Sequence, residues 1–175
     1  MKGGSPQAIA TLVEAAGGEL IGKTRLQKIF CLLDLVGDRL GFRFGYHLYG
    51  PYSDEISIAA SDATALGLVE ESVRHAAWGG RYSVFKLKQD VSEKDRLTPA
   101  ISALVKTAAI ADSVELELAV TAAFLADSGV ANAWNEVERL KPTKATRERL
   151  AGAKRLYQKF ETFEVPRPLP KIGMD

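Results

Sequence analysis

The stretch GGELIGKTRLQKIFCLL, residues 17–33, decides how the first third of the chain is interpreted. Its first eight residues fit the phosphate-loop pattern G-x-x-x-x-G-K-[ST]. A phosphate loop follows a buried strand, whereas an amphipathic helix is predicted directly before residue 17. We therefore interpret Gly17-Gly18 as a helix stop and Glu19–Ile21 as a short connection. The next helix is expected to begin at Lys23-Thr24, with Thr24 and Gln27 at capping-box spacing. Nucleotide binding at Gly17–Thr24 stays a minor alternative.

The elements around this stretch predict a winged helix-turn-helix-like core. The apolar stripe of residues 9–16 follows Ser5-Pro6 and indicates a helix. Residues 42–49 alternate like a half-buried strand, with Phe42, Phe44, Tyr46 and Leu48 on one side, and Gly50-Pro51 ends it. A helix over 53–66 would take the recognition position. Runs 68–74 and 82–88 form a hairpin whose 75–81 loop would be the wing.

The rest of the chain is predicted to be helical. Thr98-Pro99 and Asp112 begin two helices, the second apolar on nearly all sides and therefore central. Two further helices follow, and alternating prolines in the tail prevent helix formation. The fold class is α+β. We expect a winged-helix-like domain over 6–90, a helical extension over 91–163 and a Pro-rich extended tail over 164–175.

Composition favours a cytoplasmic globular protein. The chain has 175 residues, of which 46% are hydrophobic and 26% charged, and it has no run of about 20 apolar residues that could span a bilayer. The first 20 residues lack the order of a secretion signal. The single cysteine, Cys31, lies in an apolar run and is interpreted as core packing rather than a nucleophile. Net charge is +1, although residues 139–159 hold eight basic residues against the single acid Glu148.

Four segments carry a family resemblance. They are KTRLQKIFCLL (23–33), FRFGYHLYGPYSDEI (42–56), LGLVEE (66–71) and ERLKP (138–142). Together they resemble the YwgA-like family of uncharacterised prokaryotic proteins and, more distantly, the Panacea antitoxin domain of the SocA and GepA-like group. The resemblance implies a winged-helix-like core. It also implies toxin neutralisation or a place in defence loci, with a toxin or defence effector as partner, and no known catalytic activity.

The sequence gives little support for catalytic or metal-binding chemistry. His47 lies among Tyr46, Tyr49 and Tyr52, and histidine and tyrosine can exchange protons. No acid lies at an evident orienting distance in sequence, so packing around the Gly50-Pro51 turn is the favoured interpretation. One cysteine and two scattered histidines offer no metal-ligand spacing. We expect neither a cofactor nor a metal, and no enzyme activity.

The remaining choice lies between a protein partner and DNA. The predicted recognition helix carries Asp54, Glu55 and Asp62 and no basic residue, which disfavours insertion beside DNA phosphates. Trp78 at a loop tip suits a protein contact, although folding back onto the hairpin is the commoner outcome. We therefore expect a non-catalytic accessory or regulatory protein that binds a partner protein, with a DNA-binding winged-helix regulator as the alternative. The helical extension packs on the core or mediates a homodimer.

The candidate contacts are the basic and aromatic residues of these elements. They are Lys23, Arg25, Lys28, Tyr49, Tyr52, Arg74, Trp78, Arg81, Arg147, Lys154 and Arg155. For the basic members, a solvated helix face is the competing interpretation.

Overall fold

The first two helices are separated by a short strand. The computed structural model describes residues 4–173. In it, α1 (Pro6–Ala15) is capped by the Ser5 hydroxyl, and β1 (Glu19–Ile21) runs into α2 (Lys23–Leu35). The helix prediction for α1 is confirmed. Residues 19–21 are a strand rather than a loose connection, because their backbone pairs with a strand 60 residues later. The capping box is also wrong, since Gly22 caps α2 at φ 100°, where a side chain would be strained.

Three antiparallel strands form the main sheet. The predicted hairpin is confirmed as β4 (Val69–His75) and β5 (Arg81–Leu87). Strand β1 pairs with the other edge of β5, which gives the order β1-β5-β4. Phe85 lies opposite both Leu20 and Glu71, and the side chains of Phe85 and Leu20 are fully buried. The sheet therefore closes one side of the first helices.

A tight hairpin stands where one long strand was predicted. Strands β2 (Gly45–His47) and β3 (Gly50–Tyr52) pair antiparallel around Leu48 and Tyr49. The half-buried strand over 42–49 is therefore wrong, as is the role of Gly50-Pro51 as its end. Phe42 is buried, but Leu48 is 91% exposed because the chain reverses there. The next helix, α3 (Asp54–Ala65), agrees with its predicted range.

Further helices follow the main sheet, after a short 3-10 turn at Glu93–Asp95. They are α4 (Pro99–Ile110), α5 (Ser113–Asp127), α6 (Ala133–Leu140) and α7 (Arg147–Phe160). Each is capped by a side chain that accepts a backbone N–H, and the first two starts agree with the predicted ones. The caps are Thr98, Asp112, Asn132 and Thr146.

One apolar cluster runs through both the sheet-containing part and the helical part. Helix α5 lies at its centre, as predicted, with Leu116, Leu118 and Val120 fully buried. The tail lies along this body without helix or strand, and Leu169 is buried in it. The architecture is α+β, and the domain boundaries at 90 and 163 stay a prediction. Among residues 4–173, no helix combines the length and apolarity needed to cross a membrane.

The corrected hairpin gives a stability prediction. Phe42 packs edge-on against Phe30, with ring centroids 4.8 Å apart, whereas Leu48 projects into solvent. Phe42→Ala should therefore lower the free energy of unfolding by about 3 to 5 kcal/mol. Leu48→Ala should change it by no more than about 0.5 kcal/mol. Urea unfolding measures both free energies. Comparable losses would instead support the half-buried strand predicted over residues 42–49.

Candidate functional site

Helix α2 holds the β2–β3 hairpin through buried hydrogen bonds. The Gln27 amide nitrogen donates to the Ser53 carbonyl and its oxygen accepts from the Ser53 N–H, both at 2.9 Å. One residue on, the Lys28 ammonium donates to the Pro51 carbonyl at 2.7 Å. All four residues are buried. The segments 23–33 and 42–56, which contain these residues, therefore contact each other in the folded chain.

The Lys28 ammonium lies beside a buried ionic cluster. Burial lowers the pKa of Lys28 to about 8, and the nearby Glu117 carboxylate opposes that shift. Glu117 is itself buried on α5, where it accepts from Lys141 at 2.7 Å and from Lys144 at 2.8 Å. Lys141 and Lys144 further lower the pKa of Lys28 because like charges repel. We call Lys28, Glu117, Lys141 and Lys144 the lysine–glutamate cluster.

Gly50 is required where the hairpin meets α5. Its φ is +88°, and a Cβ at this position would lie 2.5 Å from the Thr121 hydroxyl oxygen. The Thr121 hydroxyl is fully buried and has no hydrogen-bond partner among the described residues. Any side chain at residue 50 would push the hairpin away from α5. The glycine of the LYGPYS segment is thus set by close backbone approach.

The hairpin tip presents an apolar and aromatic surface. Leu48 is 91% exposed and Tyr49 is 60% exposed. Behind them, the Lys144 ammonium lies 5.0 Å from the centre of the Tyr49 ring, within range of a cation–π interaction. His47 and Tyr52 pack against each other with centroids 5.1 Å apart. We call Leu48 and Tyr49 the hairpin tip.

A cavity of about 270 Å³ opens beside this hairpin, between α2, α3 and the sheet. Buried apolar side chains form its floor, and hydroxyl-bearing side chains lie at its rim. We call it the α2–α3 groove. Its lining comprises Lys23, Thr24, Leu26, Gln27, Lys28, Tyr49, Tyr52, Ile56, Ser57, Ala60, Ser61, Glu71 and Phe85.

Several predicted contact residues are engaged within the chain. Lys28 is buried and bonds internally, which corrects its prediction as a surface contact. Arg25 donates to the carbonyls of Ala108 and Ala111, at 3.2 and 2.6 Å, and so satisfies the end of α4. Burial lowers the pKa of Arg25. The ammonium of Lys23 is exposed and lies 3.3 Å from Glu71.

The wing-like hairpin keeps its predicted residues at the surface. Arg74 and Arg81 are exposed, and Arg81 pairs across the ladder with His75. Trp78 is 81% exposed, yet its ring crosses the turn so closely that a Cβ on Gly80 would lie 1.7 Å from it. The indole therefore both folds over the glycine and faces solvent.

The basic stripe of residues 139–159 is less uniform than its sequence indicates. Arg147 and Arg155 are exposed. Lys154 lies over the buried Trp134 ring, 5.8 Å from its centre. Lys141 points inward to Glu117, so part of the stripe neutralises an internal charge. Sequence reasoning missed Glu117, although an acid inside the apolar segment 114–126 was the available signal.

The structure gives physical reasons for two other expectations, on the phosphate-loop match and on Cys31. Only Gly22 separates β1 from α2, so residues 17–22 form a helix end and a strand rather than a loop that wraps a phosphate. Cys31 is buried in α2, and burial raises the pKa of its thiol, which disfavours the thiolate.

Comparison with known proteins gives one short match. The chain is 32% identical over 54 residues to YwgA of Bacillus subtilis (strain 168), whose name describes it as uncharacterized. The match covers 31% of this chain and about a third of that relative, 32% of its length. No protein-family model and no solved structure matches the chain. A relation to YwgA over this segment agrees with the sequence resemblance, and the likeness to the Panacea domain stays a prediction.

Removing the Gln27 amide should loosen the hairpin. Gln27→Leu leaves the buried N–H and carbonyl of Ser53 without hydrogen-bond partners. We therefore expect a loss on the order of 3 kcal/mol in the free energy of unfolding. Gln158→Leu is the matched control, because Gln158 is exposed on α7. Chemical denaturation measures both variants. Equal small losses would show that the amide does not hold the hairpin.

The buried Lys28 should make stability rise with pH. Its pKa is about 8 in the folded chain, below the ordinary lysine value of 10.5. Between these values the unfolded chain binds the proton more tightly, so raising the pH favours folding there. From pH 7 to pH 10 the wild type should gain about 2 kcal/mol relative to Lys28→Met.

Urea unfolding of the two chains across this range measures the difference, in which titrations common to both cancel. Parallel curves would contradict the cost assigned to the buried ammonium.

Proposed function

We propose that this protein is a non-catalytic accessory protein that acts by binding a partner protein through the hairpin tip. The observation that carries the proposal is the exposure of Leu48 and Tyr49 on a hairpin whose base is internally braced. We further propose an antitoxin-like or defence-associated role. That part rests on the resemblance of the TRLQK and LYGPYS segments, at residues 24–28 and 48–53.

The proposed core is a winged helix-turn-helix. Helices α1, α2 and α3 precede the β4–β5 hairpin, and β1 pairs with β5 to give the order β1-β5-β4. This connectivity supports the winged-helix interpretation, with α3 in the recognition position. It departs from a simple helix-turn-helix because residues 36–53, including β2 and β3, replace the short turn between α2 and α3.

A braced hairpin suits recognition of a protein. The bonds from Gln27 and Lys28 fix its base before any partner arrives, so little conformational entropy remains to be lost on binding. Tyrosine is enriched among residues that dominate protein interfaces, and Leu48 adds apolar area beside it.

The charge of α3 favours a protein over DNA. Asp54 and Asp62 are exposed on it, and the helix has no basic residue. Glu55 accepts two hydrogen bonds from the Arg43 guanidinium, at 3.0 and 2.7 Å, so this nearby cation is already neutralised. In a major groove Asp54 and Asp62 would face phosphates without compensation.

DNA binding through the wing is the second candidate. Arg74 and Arg81 are exposed on the β4–β5 hairpin, and Trp78 lies at its tip. Lys23 is exposed as well, and contacts from these cations to phosphates would not require insertion of α3. This alternative predicts affinity that falls steeply with salt.

Substitutions at the hairpin tip should weaken partner binding. A tagged chain is used to recover partners from the native host, and each recovered protein is purified and titrated by calorimetry. Leu48→Asp with Tyr49→Ala should raise Kd at least about tenfold, because it places a charge in the contact and removes an aromatic anchor. Ile110→Asp is the control, since Ile110 is 87% exposed at the end of α4.

Equal weakening by the control would contradict a contact at the hairpin tip. Tight, salt-sensitive binding to a defined DNA site, lost in a Lys23→Ala, Arg74→Ala, Arg81→Ala variant, would instead favour the regulator.

A further inference from the structure

The α2–α3 groove has the composition of a small-molecule site. Its floor consists of the side chains of Leu26, Ile56, Ala60 and Phe85, each no more than 6% exposed. Such a floor gains free energy by covering apolar ligand surface. The floor draws on α2, α3 and β5, so its shape is fixed by three packed elements rather than by a loop. Pre-formed apolar concavities of this kind are the usual setting of small-ligand binding.

Hydroxyl groups at the rim of the groove can orient a ligand through hydrogen bonds. Thr24 and Ser61 lie at exposed positions on opposite helices, and Tyr49 adds a phenol. The hydroxyls of Tyr52 and Ser57 bond to each other at 2.8 Å. A hydroxyl can both donate and accept, so the rim can hold a ligand N–H or a ligand carbonyl.

The charges at the groove are already paired. The Lys23 ammonium lies 3.3 Å from Glu71, which also accepts from the Ser83 hydroxyl at 2.7 Å. Lys28 lines the groove, but its ammonium is bonded to the Pro51 carbonyl and lies beside the lysine–glutamate cluster. Each charged lining residue therefore already has a partner, which an ionised ligand would have to displace. Burying an ionised ligand here would carry a desolvation penalty without an opposite charge to offset it.

We propose that the α2–α3 groove binds a small uncharged aromatic molecule that carries a hydrogen-bonding group. The flat apolar body lies on the floor, and the polar group meets a rim hydroxyl. This site does not depend on the proposed partner-binding function, although Tyr49 belongs to both surfaces. Ligand occupancy and partner binding would therefore influence each other through that residue.

Three indoles that share one ring system and differ in charge test the proposal. Indole is uncharged, indole-3-acetate carries a negative charge and tryptamine carries a positive charge at pH 7. Each is titrated into the full chain and followed by amide chemical shifts. Indole should give saturable shifts around Thr24, Ser57 and Ser61, with a submillimolar Kd. Both charged analogues should bind at least about tenfold more weakly, because the groove offers them no counter-charge.

Filling the groove provides the control. Ser61→Phe places a ring over the cavity and should abolish indole binding. Ile58→Phe puts the same ring on α3 at an exposed position outside the groove, and it should bind indole as the wild type does. Circular dichroism establishes that both variants are folded.

Three results would overturn the proposal. They are the absence of saturable indole shifts, equal or tighter binding of either charged analogue, and retained binding in a folded Ser61→Phe chain. Tighter binding of indole-3-acetate would mean that Lys23 leaves Glu71 for a ligand anion. None of these measurements involves a partner protein, so their results do not bear on partner binding at the hairpin tip.

Discussion

The hydrogen bonds from Gln27 and Lys28 to the backbone of residues 51 and 53 are the constraint on which the site depends. Residues 36–53 form a long connection between α2 and α3, with only two three-residue strands of their own. Such a segment loses much conformational entropy on ordering and has few local contacts to offset that loss. Buried side-chain bonds to its backbone supply the missing stabilisation, and they fix where the hairpin tip and the α2–α3 groove lie.

The same interaction connects the two halves of the chain. Lys28 reaches from α2 toward Glu117 on α5, and Glu117 in turn holds Lys141 and Lys144 from the segment after α6. Burying one carboxylate among three ammonium groups is costly, and only close pairing compensates it. The cluster makes the position of the hairpin depend on the helical part as well as on α2.

Local sequence was enough for most helices and for the β4–β5 hairpin, but not for the shorter strands. The starts at Ser5, Thr98 and Asp112 were predictable because a cap and the backbone N–H from which it accepts lie within a few residues. Strand β1 was missed because three residues carry no periodicity, and its pairing partner lies far along the chain. Alternation over 42–49 suggested a half-buried strand, but a reversal at Leu48 and Tyr49 moved Leu48 into solvent while Phe42 stayed buried.

The sequence by itself determined the α+β class and the central helix α5. These follow from periodicity, capping and composition, which act over short distances. Only the tertiary structure decided that Lys28 is buried, that Glu117 is its neighbour and that the α2–α3 groove exists. A lysine in an amphipathic helix has the same sequence signature whether it faces water or a buried carbonyl. Its fate depends on which distant backbone packs above it, and no local pattern encodes that choice.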